Sequence, residues 1–245
     1  MTACIISIRP QPDADLDVAA LARRNVRALA CPLMAPTYLS SAVDLDVTGC
    51  AGVIFTSRHA VEGFVNRMTG TAWQALTAYC VGRATARRAA QAGFTRIMTG
   101  QGGGRGLAPL IRDDTPAMLA PLLWPSAAQI SFDMVAELAP DIDVRRVPVY
   151  EMNPVNSLSP LLLEALQESQ LGGVIMMSAR SASLFHDALD AAGFAGERRN
   201  ITVIAGSQAI ADAAGDEWKD CLIARRPTRA RLLAIASLLY HRRLT

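Results

Sequence analysis

Short apolar runs alternate along this chain with longer stretches in which apolar residues recur every three or four positions. The runs at 3–8, 52–57, 78–82, 96–99, 122–126, 145–151, 173–178, 201–206 and 221–224 are four to seven residues long. They are mostly apolar and tend to end in small or polar residues, as parallel strands buried on both faces do. Helices are expected over 14–30, 58–68, 83–93, 131–139, 159–169, 180–193, 207–215 and 228–244. Ser159-Pro160 places a capping oxygen ahead of a proline in the first helical turn. Thr228, just after Pro227, suits the cap of the last helix. Gly93, Gly193 and Gly215 stand where a left-handed helix end favours a residue without a Cβ. Strand and helix in alternation predict α/β units built on parallel sheets.

One phrase occurs twice. Residues 52–64 read GVIFTSRHAVEGF and residues 173–185 read GVIMMSARSASLF, with Ser57 and Ser178 121 positions apart. Each is followed by a helix, a strand ending in glycine (Gly82, Gly206), a short alanine-rich helix, a closing glycine and a third strand. A fixed echo of this length points to duplication and to two similar open-sheet α/β/α domains. The segments 32–40 and 147–156, both extended in character and both holding proline and tyrosine, interrupt the alternation as domain boundaries do. The expected division is 1–34 with 154–245 as a discontinuous domain and 41–147 as an inserted one, with linkers at about 35–40 and 148–153.

Composition narrows the class. At 245 residues, half apolar and a fifth charged, the chain has the balance of an ordinary globular protein with ample core. No apolar run approaches the roughly 20 residues that span a bilayer, and the first residues lack the basic start of a signal peptide. A cytoplasmic home is expected. A net charge of +2 is no nucleic-acid footprint. Lys219 is the only lysine among 24 cationic residues. That bias reflects either codon usage or the arginine fork's fit to carboxylate and phosphate oxygens. The five cysteines are scattered and outside C-x-x-C spacing, and Cys4, Cys80 and Cys221 are expected as buried thiols. His59, His186 and His241 are too far apart for a metal pair.

Candidate chemistry gathers where strands run into helices. Thr56-Ser57-Arg58, Gly82-Arg83, Ser178-Ala179-Arg180 and Gly206-Ser207 each put free backbone N–H groups at a helix start, a place that suits anions. In open α/β sheets ligands collect at the carboxyl ends of strands, so two facing halves would offer four such turns to one ligand. Ser57 and Ser178 read equally as plain helix caps. The stretch 100-GQGGGRG-106 lacks the lysine and spacing of a phosphate loop and is expected as a mobile loop, although Arg105 could touch an anion. His59 is expected on a helix surface. The pairs Asp44/Asp46, Asp113/Asp114 and Asp141/Asp143 are expected in turns and on the surface. Hydroxyls, amides and arginines suit the positioning of a polyanion better than acid–base machinery.

These phrases, taken in order, resemble the uroporphyrinogen-III synthase family along nearly the whole chain. Arg9-Pro10 after the first strand resembles the family's opening turn. 53-VIFTSRHAVEGF-64 resembles its strand–T-S–x-x-A-V–x-x-F phrase. 81-VGRATARRAAQAG-93 is similar to its V-G-x-x-T-A start of a helix, with Thr85 on the family threonine. 147-VPVYEMNP-154 resembles its V-x-x-Y-x-x-x-P linker, with Tyr150 on the family tyrosine. 202-TVIAGSQAIADAAG-215 and 226-RPTRARLLAIASLL-239 resemble its closing elements. The sequence departs at Gln208-Ala209, where threonines are common, and at Ser7-Ile8, where a threonine commonly precedes the arginine. One hydroxyl donor is either lost or replaced by Ser207 and Gln208.

The resemblance implies two similar α/β domains joined by a two-strand linker. It implies cyclisation of the linear tetrapyrrole hydroxymethylbilane to uroporphyrinogen III, with loss of water and inversion of the last ring, and no cofactor or metal. The terminal hydroxyl leaves to give an azafulvene, the last ring is attacked at its substituted position, and a spiro intermediate reopens and recloses with that ring reversed. Tyr150 is the expected aid to departure of the hydroxyl. Arg9, Thr56, Ser57, Arg58, Gly82, Arg83, Thr85, Ser178, Arg180, Gly206, Ser207, Gln208 and Thr228 are the expected contacts to the substrate's carboxylates. A monomer without nucleic-acid or membrane partners is expected. The rival readings are a non-catalytic two-domain binder of a small polyanion and a nucleotide-dependent enzyme using 100–106.

Overall fold

The computed structural model describes residues 3–40, 45–101, 103–114 and 120–242. The expected domain limits at 1, 41 and 245, Asp44, Gly102 and the end of the last expected helix lie outside them. The chain folds as two compact units, Met1–Ala35 with Asn153–Thr245, and Pro36–Met152.

The first unit holds strands β1 (Cys4–Ser7), β2 (Ala28–Ala30), β9 (Leu171–Met176), β10 (Thr202–Ala205) and β11 (Asp220–Ile223). They form one sheet in the order β11-β10-β9-β1-β2, every neighbouring pair parallel. Successive side chains on a strand face opposite sides, and both sides are buried. Cys4, Ile6, Val174, Met176, Val203 and Ala205 pack on α6 (Pro160–Gln167), α7 (Ala179–Ala191) and α8 (Gln208–Ala213). Ile5, Ile175 and Ile204 pack on α1 (Asp13–Ala22) and α9 (Arg229–Arg242). That sandwich is why these strands read as continuous apolar runs.

The second unit holds β4 (Gly52–Phe55), β5 (Thr77–Cys80), β6 (Arg96–Thr99) and β7 (Leu122–Ala127). Two further strands, β3 (Met34–Tyr38) and β8 (Val144–Pro154), contain the unit boundaries. The sheet order is β3-β8-β7-β4-β5-β6; β4 to β8 pair in parallel with one another, whereas β3 runs antiparallel to β8, with Leu39 N–H donating to Val149 O and Val155 N–H to Leu33 O. Val53, Phe55, Ala78 and Cys80 face α2 (Arg58–Val65) and α3 (Arg83–Ala92). Ile54, Tyr79, Leu122 and Trp124 face α4 (Gly104–Asp114) and α5 (Met134–Leu138). The glycine that opens each copy of the doubled phrase is a packing requirement. A Cβ on Gly52 would meet Thr77 O and Tyr79 Cε2 at 2.8 Å, and one on Gly173 would meet Ile5 and Leu239 at 3.0 Å.

Four expectations are corrected. The first helix stops at Ala22 and 28–30 is strand β2: the chain turns at Asn25, whose φ is 56°, and Ala28–Ala30 pairs with β1. Tertiary pairing overrides the helix propensity of Ala-Leu-Ala. The expected loop 100–106 becomes helix from Gly104, because Leu107, Ala108 and Ile111 bury one face of α4. Cys221 is exposed, since β11 is the edge strand of its sheet. His59 is half-buried among aromatic residues instead of lying on a helix surface.

Candidate active site

Each sheet has a place where the chain changes direction across it. In the first unit β2 lies on one side of β1 and β9 to β11 on the other, so the connections leaving β1 and β9 diverge. In the second, β5 and β6 lie on one side of β4 while β7 and β8 lie on the other, so those leaving β4 and β7 diverge. Such switch points open crevices at the carboxyl ends of parallel strands. A cavity is found at both. One of about 240 Å³ is lined by Ile8, Arg9 and Pro10 after β1 and by Met177, Ser178 and Ser181 after β9, with Asp13. The other, about 250 Å³, is bounded by Thr56 after β4, by Ala127 at the end of β7 and Gln129 to Phe132 after it, and by Trp124 and Tyr150.

In the second unit Tyr150 and Ser57 are brought together, 93 positions apart in sequence. The Tyr150 hydroxyl lies 2.9 Å from Ser57 Oγ. Ser57 also caps α2, its Oγ accepting from Ala60 N–H at 3.0 Å. That bond occupies one lone pair and leaves the serine proton free to be donated to the tyrosine oxygen. Tyr150 is 7% exposed. Burial raises its pKa above the ordinary phenol value, and the Ser57 hydrogen bond partly opposes the rise. The ring of His59, on the first turn of α2, lies 5.6 Å from that of Tyr150, and its Nδ1 is 3.3 Å from the Tyr38 hydroxyl. Trp124 Nε1–H donates to Thr56 Oγ1 at 3.4 Å. Of the other expected contacts here, Arg58 and Gly82 are half-buried and Arg83 is exposed, all just after β4 and β5. Thr85 is on the buried face of α3 and is not part of the cavity wall.

In the first unit Arg9 and Ser178 share the crevice. Ser178 caps α7, accepting from Ser181 N–H at 3.4 Å. Arg9 is set by a carboxylate that sequence reasoning missed. Asp17, on α1, is 1% exposed and accepts from Ser7 Oγ at 2.8 Å, from Arg9 Nη1 at 3.3 Å and from Arg229 Nε at 2.5 Å. Asp13 adds a 2.9 Å ion pair to Arg9. The signal was available: Ala14, Asp17 and Leu21 are spaced as one buried helix face, and an acid on such a face needs partners. Arg180, Gln208 and Thr228 are exposed, Ser207 is half-buried and Gly206 is buried. Gln208 Nε2 donates to Asp212 on its own helix at 2.7 Å, while Thr228 accepts from Arg231 N–H at 3.4 Å. Ser207 makes no side-chain cap, unlike Ser57 and Ser178.

The family model described as uroporphyrinogen-III synthase HemD matches residues 16–234, which is most of the chain. The chain belongs to the uroporphyrinogen-III synthase family. The fold agrees. A crystal structure of uroporphyrinogen-III synthetase from Helicobacter pylori superimposes with a TM-score of 0.63 at 20% identity, covering 97% of this chain and 100% of that one. A mutant synthase from Thermus thermophilus gives 0.52 at 15% identity, covering 99% of this chain and 98% of that one. No curated protein matches the sequence. Membership carries the family's activity, the cyclisation of hydroxymethylbilane to uroporphyrinogen III, in preference to non-catalytic binding of a polyanion. Among the described residues no helix is long and apolar enough to cross a membrane, and no group of three His, Cys, Asp or Glu is placed to hold a metal ion.

Proposed function

We propose that Tyr150, oriented by Ser57, gives up the proton that carries the substrate's terminal hydroxyl away as water. The observation that carries this reading is the 2.9 Å contact between Tyr150 and a serine already fixed as a helix cap. With Ser57 donating to the phenol oxygen, the phenol proton is directed elsewhere, and the phenolate left after transfer keeps a hydrogen bond. Burial holds the phenol in its protonated, donating form at neutral pH. The C–O bond breaks, the proton from Tyr150 and the hydroxyl leave as water, and the ring nitrogen's lone pair closes an azafulvenium cation. After ring inversion and closure, the proton lost from the final ring restores Tyr150.

The substrate's carboxylates are assigned to the strand-end turns: Arg9, Ser178, Arg180, Gly206, Ser207, Gln208 and Thr228 in the first unit, and Thr56, Ser57, Arg58, Gly82 and Arg83 in the second, while the buried Thr85 packs the base of the Gly82 turn. Backbone N–H groups at helix starts and forked guanidinium groups suit such oxygens without lysine. The two sheets support descent from one duplicated domain. With β7 matched to β1 and β8 to β2, their spatial orders coincide, β8-β7-β4-β5-β6 against β2-β1-β9-β10-β11. In that reading β3 and β8 serve as the two-strand linker, with the domain limits and linkers expected above. A cytoplasmic monomer with a small-molecule partner is the working form. The near-neutral charge favours it over nucleic-acid binding.

The test supplies hydroxymethylbilane and separates type I from type III product by chromatography. Type III product is expected, and only type I at the spontaneous rate would overturn the activity. Tyr150→Phe is expected to slow type III formation by about 100-fold or more with the fold unchanged. Undiminished turnover would remove Tyr150 from the mechanism.

A further inference from the structure

The two switch-point cavities are nearly equal in size and opposite in chemistry. The first unit's is ionic, with Arg9 and Asp13 in its wall. Among the described residues, the wall of the second unit's cavity carries no charged side chain, and Trp124, Phe132 and Tyr150 give it an aromatic lining. Its volume of about 250 Å³ falls below the roughly 300–1,000 Å³ that a drug-sized ligand fills. It has room for one substituted pyrrole and not for four.

A proton leaving Tyr150 must meet the departing oxygen directly, so the ring bearing the hydroxymethyl group has to lie against Tyr150. Once the hydroxyl has gone, that ring carries a positive charge. An uncharged aromatic pocket attracts a delocalised cation through the quadrupole of its rings, more strongly where water is excluded. Trp124 is already engaged, since the Arg146 guanidinium lies 5.7 Å from the centre of its ring. Arg146 is itself held by Ser126 Oγ and by the carbonyls of Ala127 and Ala128. Among the described residues no such cation lies over Phe132. Its ring is seated against the first residue of α4, where a Cβ on Gly104 would fall 2.3 Å from Phe132 Cδ1. The absence of a side chain at Gly104 keeps Phe132 back and the cavity open.

We propose that this cavity seats the single pyrrole that carries the leaving hydroxyl, and that Phe132 stabilises the cation formed there while the acetate and propionate arms stay outside. The proposal rests on the reading of Tyr150 as the proton donor. It makes Phe132 a catalytic residue, one that would touch the reacting ring, and Gly104 a positioning residue that acts through it.

Phe132→Leu keeps an apolar wall and removes the aromatic ring. The expected result is a fall in kcat of about three- to thirtyfold with KM little changed, because the cation exists only beyond the ground state. Phe132→Tyr should restore kcat. Gly104→Ala should drive the phenyl ring into the cavity and raise KM, with circular dichroism reporting that the fold persists. A calorimetric binding comparison needs no turnover. Its probes are a monopyrrole with acetate and propionate arms bearing an aminomethyl group, which is cationic beside the reacting carbon, and the same monopyrrole bearing a methyl group. The unaltered protein should prefer the cation, and Phe132→Leu should lose that preference. Equal kcat in Phe132→Leu, or a preference for the cation that survives the substitution, overturns the proposal. Because both can occur while type III product still forms, that failure is distinct from failure of the synthase mechanism.

Discussion

Replacing Asp17 by alanine tests whether the ionic crevice of the first unit is built around one buried carboxylate. Asp17 accepts from Ser7, Arg9 and Arg229, residues of β1, the turn after it and the first turn of α9. Removing one partner of a fully buried ion pair costs about 3–5 kcal/mol, because a charge is left unpaired in a poor solvent. Here the stranded guanidiniums keep some water: the Arg9 side chain is 17% exposed and that of Arg229 39%. Their share must be discounted for screening. Arg229 also retains its bond to Leu16 O and Arg9 its pair with Asp13. The loss of the Ser7 bond, about 1 kcal/mol, is not recovered. Together these give about 2–3 kcal/mol, which at about 2–4 °C per kcal/mol for a chain of this size lowers Tm by about 4–12 °C. Differential scanning calorimetry measures the shift, and the type III assay run in parallel should show KM rising more than kcat falls, as Arg9 loses its anchor. A Tm shift below about 1 °C with KM unchanged would mean that the cluster neither holds the unit together nor sets Arg9, and the reasoning would be wrong.

Gly63→Ala should destabilise by about 1–3 kcal/mol through overpacking, because the new Cβ would lie 2.7 Å from Val149 O and 2.9 Å from Val149 Cγ2; thermal unfolding measures it, and turnover should fall too, since Tyr150 adjoins Val149. Gly82→Ala makes the contrast: φ there is −179° and nothing lies within 4 Å of a Cβ, so Tm should hold while KM for hydroxymethylbilane rises if the Gly82 turn receives a carboxylate. In alkali, burial pushes the Cys31 thiol up to about 11 and the Cys80 thiol up to about 12, from 9.0. The unfolded chain then sheds these protons first, so their contribution is complete below about pH 9 and is lost as pH climbs through the folded values. Urea midpoints should therefore decline between about pH 9 and about pH 12, and Cys80→Ala should flatten that decline relative to the unaltered protein.

Much of this architecture was legible because the strands are buried on both faces and so stand out as apolar runs, with glycines and serines at their ends. β2 was not. Ala-Leu-Ala carries a helix former's signature, and only the register with β1 makes it a strand. α4 was hidden by the glycines ahead of it, although Leu107 and Ile111 sit at helical spacing. Tyr150 and Ser57 were individually visible, but no local pattern reports that strand β8 brings the phenol to the cap of α2. The Tyr38–His59–Tyr150 group escaped for the same reason, being assembled from β3, α2 and β8.

The same topology explains why two alike sheets carry unlike chemistry. Ser7 closes β1 and Ser126 is the next-to-last residue of β7, and both are wholly buried. A buried hydroxyl must be satisfied, and although both serines donate, Ser7 to Asp17 and Ser126 to Ala127 O, their charged partners are of opposite sign. Ser7 donates to a carboxylate, which also binds Arg9, in the crevice of the first unit, and Arg229. Ser126 accepts from an arginine whose remaining bonds go to backbone carbonyls and whose guanidinium covers Trp124, leaving the second unit's cavity lined by uncharged groups. Arg146 therefore sets the character of the second crevice, and Arg146→Met should leave Ser126 Oγ and the Ala127 and Ala128 carbonyls without that partner and uncover the face of Trp124.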